Sequence, residues 1–123
     1  MTPSEIIAAD ARQHGVDPEK VLQYVGSKIK SKTGSIMSAG NSILLLVGIG
    51  NACAELHLYT QDSPSALMRN LPHFIDVIQN TELKRVYGDA DNPGIIQMLT
   101  RLGVDVEESD RPSTTGWPMF KVE

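Results

Sequence analysis

The chain is 123 residues long, 41% hydrophobic and 21% charged, with a formal net charge of −4. That length and composition suit one globular domain spanning residues 1–123 and exclude a disordered or fibrous chain. The acidic balance argues against a general nucleic-acid binder, whose affinity comes from Lys and Arg on phosphates; the basic strip Lys28, Lys30 and Lys32 is the local exception.

The N-terminus opens Thr2-Pro3-Ser4-Glu5, a capping box with proline at the first helical position. It predicts a helix running to about His14 and stopped by Gly15. It lacks the basic-then-apolar order of a signal peptide, so the expected setting is a cytoplasm or a particle assembled there. Asp17-Pro18-Glu19 starts a second helix, with Val21, Leu22, Val25 and Ile29 on one face and the lysines at its negative end. These two helices make up residues 1–33, and residues 34–123 read as a mixed sheet carrying two further helices.

Residues 35–38 form a short strand, and Ala39-Gly40-Asn41 a turn. Residues 42–48 are continuously apolar and predict a strand buried on both faces; the run 43–47 is far too short to span a bilayer. Gly48-Ile49-Gly50-Asn51 turns the chain again. Residues 52–60 then alternate, with Cys53, Glu55, His57 and Tyr59 on one face and Ala54, Leu56 and Leu58 on the other.

Ser63-Pro64 begins a third helix whose apolar positions are Leu67, Leu71, Phe74, Ile75 and Ile78. Pro72 within it predicts a kink or a later start, because an interior proline removes a hydrogen bond at a cost of roughly 3 kcal/mol. Residues 84–88 form a short strand. Asn92-Pro93 starts a fourth helix bearing Ile95, Ile96, Leu99 and Leu102 and ended by Gly103. Residues 104–109 and 117–122 predict a closing hairpin.

The order is thus α/β with a mixed sheet: two helices, an antiparallel meander, then β-α-β-α-β. It is similar to the GNAT acyltransferase superfamily from residue 52 onward, and three local features carry the resemblance. Gln61-Asp62-Ser63-Pro64-Ser65-Ala66 stands where the family has Q/R-x-x-G-x-G/A, with the leading Gln and final Ala in place. Asn92 heads the fourth helix, where the family often carries an Asn near its cofactor. The run from Asn92 through Leu99 to Gly103-Val104 resembles the family segment N-x-x-A-x-x-L-Y-x-x-x-G-F.

The resemblance implies that two neighbouring parallel strands splay apart and hold acyl-CoA, with a helix N-terminus facing the pyrophosphate. It implies pantetheine contacts from the backbone of Leu58, Tyr59 and Thr60, and phosphate contacts from Gln61, Ser63, Ser65 and Ala66, with Asn92 nearby. Acetyl-CoA is the implied cofactor. Glu55 or His57 would take the proton of an attacking amine, and Tyr87 on the next strand is the candidate acid. The bland alternative is that Glu55 and His57 are outer-face polar residues of a half-covered strand, and Tyr87 a packed aromatic.

Three departures bear on activity. Pro64 has no N–H for a phosphate oxygen, Asp62 adds a negative charge beside that site, and Leu99 stands where the family often has a proton-donating Tyr. Small degenerate chains of this kind resemble proteins of tailed bacteriophages, among them acetyltransferases and internal virion or assembly proteins. The resemblance therefore implies either a non-catalytic virion, assembly or inhibitor protein, or a small acetyl-CoA-dependent N-acetyltransferase. A protein partner in an assembly and a homodimer through the C-terminal strands are the expected associations.

The remaining candidates are weaker. Cys53 is the single cysteine, so no intramolecular disulfide can form; without basic neighbours it reads as a small core residue rather than a nucleophile. His14 and His73 have no partner at ligand spacing, so no metal site is expected. Asp89-Ala90-Asp91-Asn92 reads as a strand-to-helix turn capped by Asn92, not a calcium loop. Trp117 is either core or a partner anchor.

Overall fold

The computed structural model describes residues 1–88, 97, 100–103, 106–108 and 118–121. Its elements are α1 (Pro3–Gln13), α2 (Pro18–Lys30), β1 (Gly34–Ala39), β2 (Ser42–Gly50), β3 (Cys53–Thr60), α3 (Pro64–Gln79), β4 (Arg85–Tyr87), β5 (Val106–Glu108) and β6 (Pro118–Lys121). Gln97, Thr100 and Arg101 are helical. Most of the expected fourth helix, including Asn92 and Leu99, lies outside the described residues, as do Asp89, Asp91 and Trp117.

The helix starts follow from their capping residues. Thr2 accepts the Glu5 N–H at 3.2 Å while the Glu5 carboxylate accepts the Thr2 N–H at 3.0 Å, a reciprocal box that satisfies two orphan donors. Asp17 caps α2 through the Glu19 N–H at 3.0 Å, and Ser63 caps α3 through the Ala66 N–H at 3.2 Å. Each helix has proline in its first turn, where no N–H is needed.

The strands form one sheet in the order β1-β2-β3-β4-β6-β5. β1, β2 and β3 are the expected antiparallel meander, and β3 pairs with β4 in parallel. The closing hairpin is inserted rather than appended: β6 lies between β4 and β5, antiparallel to both.

β2 is buried from Ser42 through Val47, as its apolar run requires. Alternation sends Leu44 and Leu46 to one face, where they meet Leu67, Leu71, Phe74 and Ile78 of α3, with Ala54 and Val86. It sends Ile43, Leu45 and Val47 to the other, against Ile6, Ile7 and Val25 of α1 and α2. The sheet is therefore sandwiched, and both faces of β3 are covered.

Two expectations are corrected. The turn after β2 falls at Asn51-Ala52, not at residues 48–51: β2 continues to Gly50 through a register shift between Gly48 and Gly50. Asn51 (φ 57°) and Ala52 (φ 59°) both adopt the left-handed conformation that a two-residue hairpin turn demands. Asn tolerates it, whereas Ala52 has a Cβ in the way. Ala52→Gly is accordingly expected to stabilise the protein by about 0.5–1 kcal/mol, the relief of Cβ strain exceeding the extra unfolded-state entropy. Urea denaturation at neutral pH checks it, and a loss of stability would contradict it.

The second correction concerns α3, which begins at Pro64 and continues through Pro72 to Gln79 rather than starting late. Pro72 sits on the exposed side of the helix, so water can satisfy the carbonyl that loses its intrahelical partner. The buried stripe Leu67, Leu71, Phe74 and Ile78 holds the helix across it.

Candidate functional site

The ladder between β3 and β4 pairs Cys53 with Arg85, Ala54 with Val86, and Glu55 with Tyr87. β3 then runs on to Thr60, and among the described residues no β4 residue pairs with it there. Among the described residues the two parallel strands therefore share a short stem beyond which the edge of β3 is unpaired, with α3 starting at the end of that edge.

The backbone groups on the open edge follow from alternation. The Gln61 N–H donates to the Asn41 carbonyl at 2.9 Å, towards β2. Successive residues alternate sides, so Leu56, Leu58 and Thr60 present N–H and C=O away from β2, and Tyr59 towards it. Leu56 and Leu58 pack their side chains with the α3 core. Tyr59 packs under α1 and α2, where burial pushes its hydroxyl pKa far up.

Thr60 is engaged through every polar group. Its N–H donates to the Asp10 carboxylate at 3.2 Å. Its carbonyl accepts the Gln61 side-chain amide at 2.8 Å, and that amide also donates to Gln13 Oε1 at 3.1 Å. Its hydroxyl accepts the Asp62 N–H at 3.0 Å and contacts Ser42 Oγ at 2.6 Å. Ser42 Oγ has a single proton and gives it to Asp62 Oδ2 at 2.6 Å, so Thr60 must donate to Ser42. The three residues close a hydrogen-bonded ring whose members polarise one another.

Asp62 is thereby turned inward. Besides Ser42, its carboxylate accepts the Asn41 N–H at 3.2 and 3.1 Å and the Asn70 amide at 2.9 Å. It fastens the β1–β2 turn to the start of α3. All of these donors are neutral, so Asp62 keeps its negative charge at the start of α3 while fastening the turn. Gly40 is required there, since its φ is +57° and a Cβ would lie 2.5 Å from the Asn70 amide.

The α3 start has few donors left. The Asp62 N–H goes to Thr60, Pro64 has none, and the Ala66 N–H goes to the Ser63 hydroxyl, which also lies 3.3 Å from Ser65 Oγ. Ser63 and Ser65 hold the N–H groups that remain to face an anion.

On the opposite face, Glu55, His57 and Tyr87 come together, because Glu55 and Tyr87 are register partners and His57 follows two residues on. Glu55 and His57 are not solvent-facing. Their side chains are 24% and 19% exposed and lie under α2, with Glu55 Oε2 at 3.7 Å from His57 Nε2. Tyr24 completes the group: its hydroxyl lies 3.3 Å from His57 Nε2 and its ring stands edge-on to the imidazole. Burial and the Glu55 charge push the Tyr24 hydroxyl pKa up.

Tyr24 and Asp10 are the residues that sequence reasoning missed. Both had a signal. Asp10 falls on the apolar stripe of α1, four residues after Ile6, and Tyr24 lies one turn from Val21 and Lys28. His14, expected to have no partner, lies 3.4 Å from Asp10. Cys53 is half-buried, with its thiol 3.4 Å from the Asn51 carbonyl. Among the described residues no cluster of three or more His, Cys, Asp or Glu could hold a metal ion, and no helix is long and apolar enough to cross a membrane.

Meander, parallel stem, open edge and helix start together define the GNAT fold. The chain is similar in structure to GCN5 from Tetrahymena, at 11% identity and a TM-score of 0.62, covering 98% of this chain and 84% of that one. It is similar to an N-acetyltransferase from Staphylococcus aureus Mu50, at 8% identity and a TM-score of 0.59, covering 98% and 92%. It is also similar to yncA from Salmonella typhimurium, a structure with its cofactor acetyl-CoA, at 12% identity and a TM-score of 0.51, covering 86% and 71%. No protein-family model matches the chain, and no curated protein matches it in sequence. At these identities the likeness fixes the fold and leaves the activity open.

Proposed function

We propose that this chain is a GNAT-fold binding protein that has given up acyl transfer, acting as a virion, assembly or inhibitor protein of the kind tailed bacteriophages encode. One observation carries the reading: of the groups that would receive acyl-CoA, the Asp62 and Ala66 N–H and both edge groups of Thr60 are bonded to the protein itself, which leaves the N–H groups of Ser63 and Ser65 at the helix start. A pyrophosphate needs convergent N–H donors at the α3 start, and there Asp62 and Ala66 donate internally while Pro64 has nothing to donate. A pantetheine amide needs the edge groups of Thr60, and both are occupied. As arranged, these residues do not fit the cofactor.

A second reading, a small acetyl-CoA-dependent N-acetyltransferase, is favoured by the opposite face. Glu55, His57 and Tyr87 sit together beside the stem, and Tyr24 steadies the imidazole, so a base and an acid are at hand. The acetyl-CoA carried by the similar Salmonella typhimurium structure supports the same reading.

Thiol release separates the two. The purified protein, incubated with acetyl-CoA and a panel of polyamines and peptide N-termini, is expected to release coenzyme A no faster than buffer. Release that is protein-dependent and abolished by both Glu55→Gln and His57→Ala would establish the enzyme.

A further inference from the structure

We propose that α1 is a latch on the open edge of β3, its Asp10 carboxylate taking the backbone donor that an extended, amide-bearing ligand would otherwise use. The Thr60 N–H points away from β2, because the neighbouring Gln61 N–H points to it. It therefore faces the side on which, among the described residues, the β3–β4 ladder stops at Glu55 and Tyr87. The Leu56 N–H closes the last rung of the ladder to Tyr87, so an extended ligand entering on that side would pair with the Leu56 carbonyl, Leu58 and Thr60 as an added strand does. Asp10 reaches across from the helix and fills the last of these positions.

The contact is specific. Asp10 is only 7% exposed and lies on the face of α1 otherwise given to Ile6, Ile7 and Ala11. A carboxylate is costly there, and burial pushes its pKa up against the hydrogen bond from Thr60 and the nearby His14. One helical turn on, Gln13 holds the Gln61 side chain, which covers the Thr60 carbonyl. Donor and acceptor of the same edge residue are thus closed by the same end of one helix. The latch rests on the reading that the resting protein holds no acyl-CoA on this edge.

Amide hydrogen exchange by NMR on the full chain tests it, with millimolar pantetheine as the probe ligand. In Asp10→Ala the Thr60 amide is expected to exchange about ten- to a hundredfold faster than in the wild type, since a charge-assisted bond is lost. Tyr59 and Gln61, whose N–H groups face β2, should keep their rates. Asp10→Asn should retain slow exchange, because its side-chain oxygen still accepts. Pantetheine should shift the Leu58 and Thr60 amides of Asp10→Ala and leave those of the wild type in place.

An unchanged Thr60 rate in Asp10→Ala would overturn the latch. So would equal acceleration of Tyr59 and Gln61, which would make Asp10 a brace for the strand, or equal pantetheine shifts in both proteins. Acetyl-CoA binding by the wild type, with Thr60 still freed and pantetheine-responsive only in Asp10→Ala, would sink the non-catalytic reading and leave the latch standing.

Discussion

Replacing Asp62 with alanine is expected to destabilise the protein by about 3 kcal/mol, a loss set by the charge-assisted hydrogen bonds it makes rather than by packing. The carboxylate is the common acceptor for the Asn41 N–H, the Ser42 hydroxyl and the Asn70 amide. Ser42 is fully buried, so its hydroxyl would lose its charged acceptor and have only the Thr60 hydroxyl, 2.6 Å away, in a site water reaches poorly. The ring through Thr60 would open at the same time. Asp62→Asn keeps one oxygen and should cost less, about 1–2 kcal/mol. Chemical denaturation of the two variants measures both. Equal stability of wild type and Asp62→Ala would show that the carboxylate is free in solution, and would return it to the phosphate side of the loop.

The largest packing effect is expected at Phe74. It is 2% exposed, in the α3 stripe pressed against Leu44, Leu46 and Val86 of the sheet. Phe74→Ala removes a ring from a close-packed layer between helix and sheet, and should cost about 3–5 kcal/mol, part transfer free energy and part cavity. Because α3 already carries Pro72, little intrahelical bonding compensates, and the helix depends on this stripe for its position. A midpoint shift in urea without a change in slope is the expected form of the loss. A cost under about 1 kcal/mol would mean that α3 is not seated on the sheet in this way.

Much of this fold was legible in the sequence, for identifiable reasons. Thr2-Pro3-Ser4-Glu5, Asp17-Pro18 and Ser63-Pro64 each pair a capping side chain with a proline, and each starts a helix within a residue of the expected place. The unbroken run through Val47 gave a strand covered on both sides, and the alternation from Cys53 to Tyr59 gave the correct two faces. The Asn51-Ala52 turn was not legible, because Gly48 and Gly50 are the stronger turn signals and Ala is a poor left-handed residue. Pro72 misled for the opposite reason: local propensity lost to a buried stripe that spans it.

The candidate site was less legible. Periodicity put Glu55, His57 and Tyr59 on one face, but only the docking of α2 brings Tyr24 onto His57, a contact 33 residues apart in the chain. The motif resemblance singled out Gln61 to Ala66 as the expected phosphate loop. It could not show that Asp62 turns back to the β1–β2 turn, or that Gln61 and Thr60 are tied to α1, since those bonds depend on tertiary placement. Pro64 was read correctly as a missing donor; the geometry adds that the donor after it, on Ala66, is taken by Ser63.

The Gln61–Ala66 loop keeps only the Ser63 and Ser65 N–H groups for an anion, since the Asp62 and Ala66 N–H groups are bonded within the protein, and the proposed non-catalytic role rests on this shortage. Titration calorimetry of the purified wild type with acetyl-CoA tests it most directly. No heat of binding is expected up to millimolar cofactor. Binding at micromolar strength that disappears when Gln61 and Ser65 are both replaced by Glu would contradict the claim and make the loop a working cofactor site.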